Sequence, residues 1–288
     1  MARRRERALP AITVFVLGAG KVGTSLARAL RAKGAKVTLR PARKALPRAI
    51  EADVVVLAVR DRDLAPLAGK LVGIVSRRAV VVHVAGALGA EALSPLRGAC
   101  AGLAQMHPMI SFASTRFAPS LQHGNVHVQG DAAAVARARR VARLLGMTPR
   151  TVPGLDTVAY HAAAGLLANG AAALAAVGTE LLVKAGVPRE VAPEMLGPLL
   201  RSVAENVEAL GFPESLTGPV RRGDAAGVEK HLKTLREKLP AAVGLYLAAA
   251  EAQLPLARAI GDATPESLEA VERTLAAATP LAPRPCVP

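Results

Sequence analysis

Aromatic residues are nearly absent: 2% of the 288 residues, with no Trp, four Phe and two Tyr. Stacking platforms for single-stranded nucleic acid need aromatic side chains, so that class is disfavoured. There are two cysteines, Cys100 and Cys286. They make no disulfide framework, which points to a cytoplasmic protein. Acidic residues are missing from one end: residues 1–50 carry 13 Lys and Arg against one acid, Glu6. The other 238 residues carry 24 basic and 21 acidic side chains, so most of the formal +15 charge lies in the first fifty. Such a surplus suits nucleic acid or a polyphosphate ligand. No metal site is expected.

Long, strongly apolar runs are also scarce. The basic start and apolar stretch at the N-terminus have the outline of a secretory leader. Yet the run Ala11 to Leu17 is short and meets a Gly-rich turn, so it reads as a strand. The uncharged stretch from Thr157 to Thr179 is mostly Ala and Gly and contains His161 and Asn169. It reads as a buried helix rather than a membrane span.

What is present is alternation. Short β-branched runs at Ala11–Leu17, Ala35–Arg40, Ala52–Val59, Ala79–Val84 and Ala101–Met106 are separated by helical segments, the first at Thr24–Lys33. A further strand at Asn125–Gln129 and a basic helix at Ala132–Leu145 follow. This order predicts an α/β fold with a mostly parallel Rossmann-type sheet. From Asp156 on, helices dominate. The expected division is a flexible basic tail (1–10), a dinucleotide-binding domain (11–152), an all-helical domain (153–279) and a flexible Pro-rich tail (280–288).

Gly18, Gly20 and Gly23 form G-x-G-x-x-G between the first strand and the first helix. The first glycine permits the tight turn, the second admits a pyrophosphate, and the third lets helix and strand pack. The helix start offers free N–H groups to phosphates. The candidate cofactor residues are therefore Gly18, Ala19, Gly20, Lys21, Val22 and Gly23. An NAD site wants a carboxylate about 20 residues further on. Here the second strand ends at Arg40, followed by Arg43 and Lys44, and no acid occurs between Glu6 and Glu51. Arginines pair with a 2′-phosphate, so NADP(H) is expected.

The stretches VLGAGKVGTSLARAL, ADVVVLAVRDRDLAPLA, HVAGALGAEAL, MHPMISF, YHAAAGLLAN and LTGPVRRGD resemble the Rossmann-like proteins that carry a C-terminal domain of unknown function 2520. The likeness runs from about Ile12 to about Ala250. It implies an NADP-dependent oxidoreductase of unassigned substrate. The layout is similar to pyrroline-5-carboxylate reductase, ketopantoate reductase and 3-hydroxyisobutyrate dehydrogenase, whose helical domain often dimerises; a homodimer is expected. The chain departs from the family at Ala85 and Ala168, where Ser is usual. Asn169 matches the characteristic Asn of the hydroxyacid dehydrogenases, but Gly165 stands where their Lys would be.

Ligands of open α/β sheets lie beyond the C-terminal strand ends. That selects Ala58 and Val59, Gly86, and His107 with Pro108, which read as the start of a loop. The helical region adds His161 as proton donor, Asn169 as a ligand-orienting group, Tyr160 as an alternative donor, and Thr217, Arg222 and Asp224 for an anionic substrate. His83, within a strand, reads as structural. Arg222, Gly223 and Asp224 spell an adhesion tripeptide, but in a helix-entry context, with Asp224 as the cap. The expected activity is hydride transfer to a small carbonyl or imine acid. A non-catalytic NADP(H) sensor is the alternative, and a nucleic-acid partner is disfavoured.

Overall fold

The computed structural model describes residues 12–279. The basic tail, the Pro-rich tail and Cys286 lie outside the described residues.

The chain divides into two compact units, the first ending at Ala168 and the second starting at Asn169. The first holds a seven-stranded sheet in the order β2-β1-β3-β4-β5-β6-β7. Its strands are β1 (Thr13–Leu17), β2 (Lys36–Arg40), β3 (Val54–Leu57), β4 (Val80–His83), β5 (Gly102–Pro108), β6 (Asn125–Gly130) and β7 (Thr148–Arg150). Neighbours run parallel except β5 and β6.

The central parallel strands are buried on both faces, while the edge strands β2 and β7 are not. Side chains alternate across a strand. Val14 and Val16 of β1 therefore join Leu26 and Leu30 of α1 (Lys21–Ala32) and Val141 of α3 (Ala132–Leu144) on one side. Phe15 and Leu17 face the other way, against Leu64 and Leu71 of α2 (Asp61–Leu71) and Leu93 of a short 3-10 segment. β7 was not legible in the sequence; it is a three-residue edge.

Two boundaries differ from expectation. α1 begins at Lys21, not Thr24, because Gly20 takes the extended cap position and its carbonyl accepts from Thr24 N–H at 2.9 Å. His107 and Pro108 lie inside β5, not in a loop. β4 ends opposite Gln105, so past that residue β5 has β6 as its ladder neighbour. In that ladder Met109 donates to Asn125, so the N–H missing at Pro108 costs no bond.

The division between the units falls inside α4 (Thr157–Lys184). Asp156 caps α4, its Oδ1 accepting from Val158 and Ala159 N–H at 2.9 and 3.0 Å. The second unit has α5 (Ala192–Leu210), α6 (Ala225–Lys238), α7 (Val243–Ile260) and α8 (Pro265–Ala278). Its core is Leu232 and Leu235 of α6, Leu247 and Leu254 of α7, and Val271 and Leu275 of α8. The expectation of a buried α4 is corrected: α4 buries none of its residues, and α5 buries only Ala192. An uncharged stretch rich in Ala and Gly reads as buried, but among the described residues only part of α4, including Val177 and Leu181, packs against the helical core.

Candidate active site

The strand ends of the first unit border a cleft of about 790 Å³. One wall is the β1–α1 turn, Gly18 to Val22. Its three glycines have separable tasks. Gly18 sits at φ +119°, and a Cβ there would run into the Ala58 carbonyl. A Cβ on Gly23 would strike the Gly18 carbonyl, so helix and strand could not close up. A Cβ on Gly20 would meet nothing within 4 Å. Fold packing does not require glycine at that position; a ligand approaching the backbone would. The turn therefore fits a pyrophosphate at the start of α1, where the first N–H groups have no helical acceptor.

At the β2 end the two expected arginines part company. Arg43 lines the cleft, with Pro41 and Ala42. Arg40 does not: its Nε donates to the Ala45 carbonyl at 2.9 Å, and Nη2 donates to the same oxygen. It braces the loop that carries Arg43. Beyond β3 lie Ala58 and Val59, as expected, and also Arg60, Asp61 and Asp63, which sequence reasoning missed. Phe112 was missed as well.

The floor of the cleft is Gly86, His107 and His161. A Cβ on Gly86 would collide with His161 Nδ1 and lie 2.8 Å from His107 Nε2, so glycine leaves room for both rings. The two imidazoles pack edge to face with centroids 5.7 Å apart. His107 Nδ1 lies 3.2 Å from the Tyr160 hydroxyl. Burial first, then the neighbouring His161, His127 and His83, push the His107 imidazole down to about 4. It is neutral at ordinary pH. Burial also raises the Tyr160 phenol, which keeps its proton.

Behind this floor is a polar brace with no obvious sequence signal. Gln105 Nε2 donates to the carbonyls of Ala85 and Gly86 at 2.9 and 3.2 Å. Its Oε1 is left to accept from His127 Nδ1 at 3.1 Å. Gln105 thus pins the loop that carries Gly86. His83 has the structural task expected of it. It is fully buried, with Nε2 2.8 Å from the Gly89 carbonyl and Nδ1 accepting from Ala85 N–H.

Gly23 and Pro108 do not line the cleft: Gly23 lets α1 close on the β1 turn, and Pro108 is buried within β5. The remaining candidates belong to the second unit. Asn169 is exposed on α4, and Thr217 is exposed before α6. Asp224 caps α6, its Oδ1 accepting from Gly227 N–H at 2.8 Å. Gly223 adopts a left-handed turn at φ +66°. The ion pair of this segment is Arg221 with Asp262, while Arg222 is exposed and pairs with no acid among the described residues.

Residues 125–253 match the family model described as a domain of unknown function, DUF2520. Among solved structures, the candidate NADP oxidoreductase BF3122 from Bacteroides fragilis is 23% identical. It covers 84% of this chain and 98% of its own, with a TM-score of 0.67. Protein TM1727 from Thermotoga maritima is 23% identical over 85% and 98%, TM-score 0.62. The pyrroline carboxylate reductase of Plasmodium falciparum, solved with NADP bound, is 13% identical over 94% and 100%, TM-score 0.59. At these identities the likeness is one of fold. No curated protein matches.

Proposed function

We propose that this Rossmann-like chain, which carries domain of unknown function 2520 over residues 125–253, is an NADP(H)-dependent oxidoreductase acting on a small anionic carbonyl or imine substrate. The carrying observation is the open space over Gly20 at the start of α1, next to a cleft with histidines on its floor. The amide groups of the β1–α1 turn would hold the pyrophosphate, and Arg43 the 2′-phosphate. Arg40 acts through the loop. The absence of a carboxylate at the end of β2 favours NADP(H) over NAD(H). The nicotinamide supplies the hydride. The chain orients the reactants and meets the charge that develops on the substrate. Arg222 is the proposed contact for the substrate anion, with Asn169 and Thr217 beside it in role, and Asp224 shaping the segment. Incubation with NADPH and a panel of 2-oxo acids and cyclic imines tests the activity. Oxidation of NADPH on any of them is expected; binding without turnover across a wide panel refutes it.

The active species is proposed to be a soluble homodimer. Leu166 and Leu167 of α4 are 79% and 76% exposed, and Leu199 of α5 is 59% exposed. α4 is long and apolar enough to cross a membrane by length and composition. Its apolar stretch is mostly Ala and Gly and carries His161 and Asn169, whereas a span normally needs about 20 strongly apolar residues; small side chains also let helices approach closely. Sedimentation is expected to give a dimer, and Leu199→Glu to weaken it; a monomeric wild type refutes this.

A further inference from the structure

The proposed reduction needs a group at the substrate atom where negative charge builds up. His161 was the sequence candidate. His107, selected in the sequence only by its place near a strand end, is a second imidazole, held by Tyr160 through a hydrogen bond and an edge-on ring contact.

We propose that His107 is the catalytic residue that donates a hydrogen bond from Nε2–H to the substrate's carbonyl oxygen, and that Tyr160 is the positioning residue that fixes this tautomer. The inference rests on the reductase reading above and narrows it. A donor suits a carbonyl oxygen. The protonated imine that would accept hydride has no lone pair left on nitrogen, so an Nε2–H donor disfavours it.

Three observations converge. The first is direction. One ring nitrogen of His107 meets the Tyr160 hydroxyl, while the other lies by the bare Cα of Gly86 in the floor of the cleft. The second is protonation. A neutral imidazole carries a single N–H, and burial keeps His107 neutral. The phenol keeps its proton, and it can donate to Nδ1 or accept from it. An imidazole nitrogen is a stronger acceptor than a phenol oxygen conjugated with its ring, and a phenol is the stronger donor. The bond therefore runs from Tyr160 O–H to Nδ1, which leaves the proton on Nε2. The third is rigidity. His107 is in register with His127 in the β5–β6 ladder. Tyr160 stacks its ring edge-on to His107 at 5.4 Å and tilted to His127 at 5.6 Å. Groups held on strands in this way keep the geometry that catalysis needs.

The test reads the tautomer directly and needs no cofactor. Nitrogen-15 spectra of the histidine rings, with His107→Gln to assign the signal, should show a protonated Nε2 and a bare Nδ1 in the wild type. Tyr160→Phe should populate the second tautomer. It should also lower kcat more than tenfold on a carbonyl substrate while KM stays within about twofold. A wild-type proton on Nδ1, or unchanged tautomers in Tyr160→Phe, overturns the assignment. So does reduction of cyclic imines with no reduction of carbonyl compounds. Failure to bind NADPH would refute the reductase reading itself, and the spectra separate the two failures.

Discussion

Lowering the pH from about 7 to about 5 should destabilise the first unit through His107. The imidazole is held down to about 4, against an ordinary value of 6.5, because burial and the nearby His161, His127 and His83 oppose its charge. The unfolded chain therefore takes up a proton near pH 6.5 that the folded protein refuses until near pH 4. Stability is complete above the higher value and falls as the pH drops through this window. Linkage puts the loss at about 2 kcal/mol by pH 5, at about 1.4 kcal/mol for each pH unit crossed. His83 and His127, also held down by burial, add losses of the same sign. The comparison is thus with His107→Gln. Urea unfolding followed by circular dichroism at both pH values should show the wild type losing about 2 kcal/mol more than the variant. Equal losses in the two proteins would mean that His107 titrates normally and that the enclosed, neutral imidazole is wrong.

Other outcomes follow from the same geometry. Gly20→Ala should fold with wild-type stability, because its Cβ meets nothing, yet bind NADPH at least tenfold more weakly by titration calorimetry. Gly86→Ala should displace His161 and crowd His107, abolishing turnover and costing about 1–3 kcal/mol of stability in thermal melts, as overpacking does. Asp224→Ala removes the cap of α6 and should lower the stability of the second unit by about 1 kcal/mol, without changing NADPH affinity.

Some of this was legible in the sequence for definite reasons. The three glycines announced the turn by their spacing: Gly18 and Gly23 answer steric demands of the fold, from Ala58 and from Gly18, while Gly20 answers none. The parallel sheet was legible because buried β-branched runs alternate with amphipathic helices. Gly86, His107, Tyr160 and His161 were each candidates in the sequence, but their arrangement was not legible, because they come from three segments that only the fold brings together. Gln105 looked like an ordinary strand residue, yet it bonds the loop below Gly86. Arg40 and Arg43 looked equivalent; the direction of each side chain at the strand end separates a loop brace from a cleft wall. α4 misled because composition reports how apolar a helix is, not how much of it the rest of the chain covers.

The central claim is that the cleft holds NADP(H), with Arg43 at the 2′-phosphate. It is tested most directly by the dissociation constants of NADPH and NADH for the wild type and Arg43→Ala. The account predicts tighter binding of NADPH by the wild type, and a loss of about tenfold, or about 1.4 kcal/mol, in the variant for NADPH alone. Tighter binding of NADH, or an Arg43→Ala variant that keeps its preference for NADPH, would contradict it.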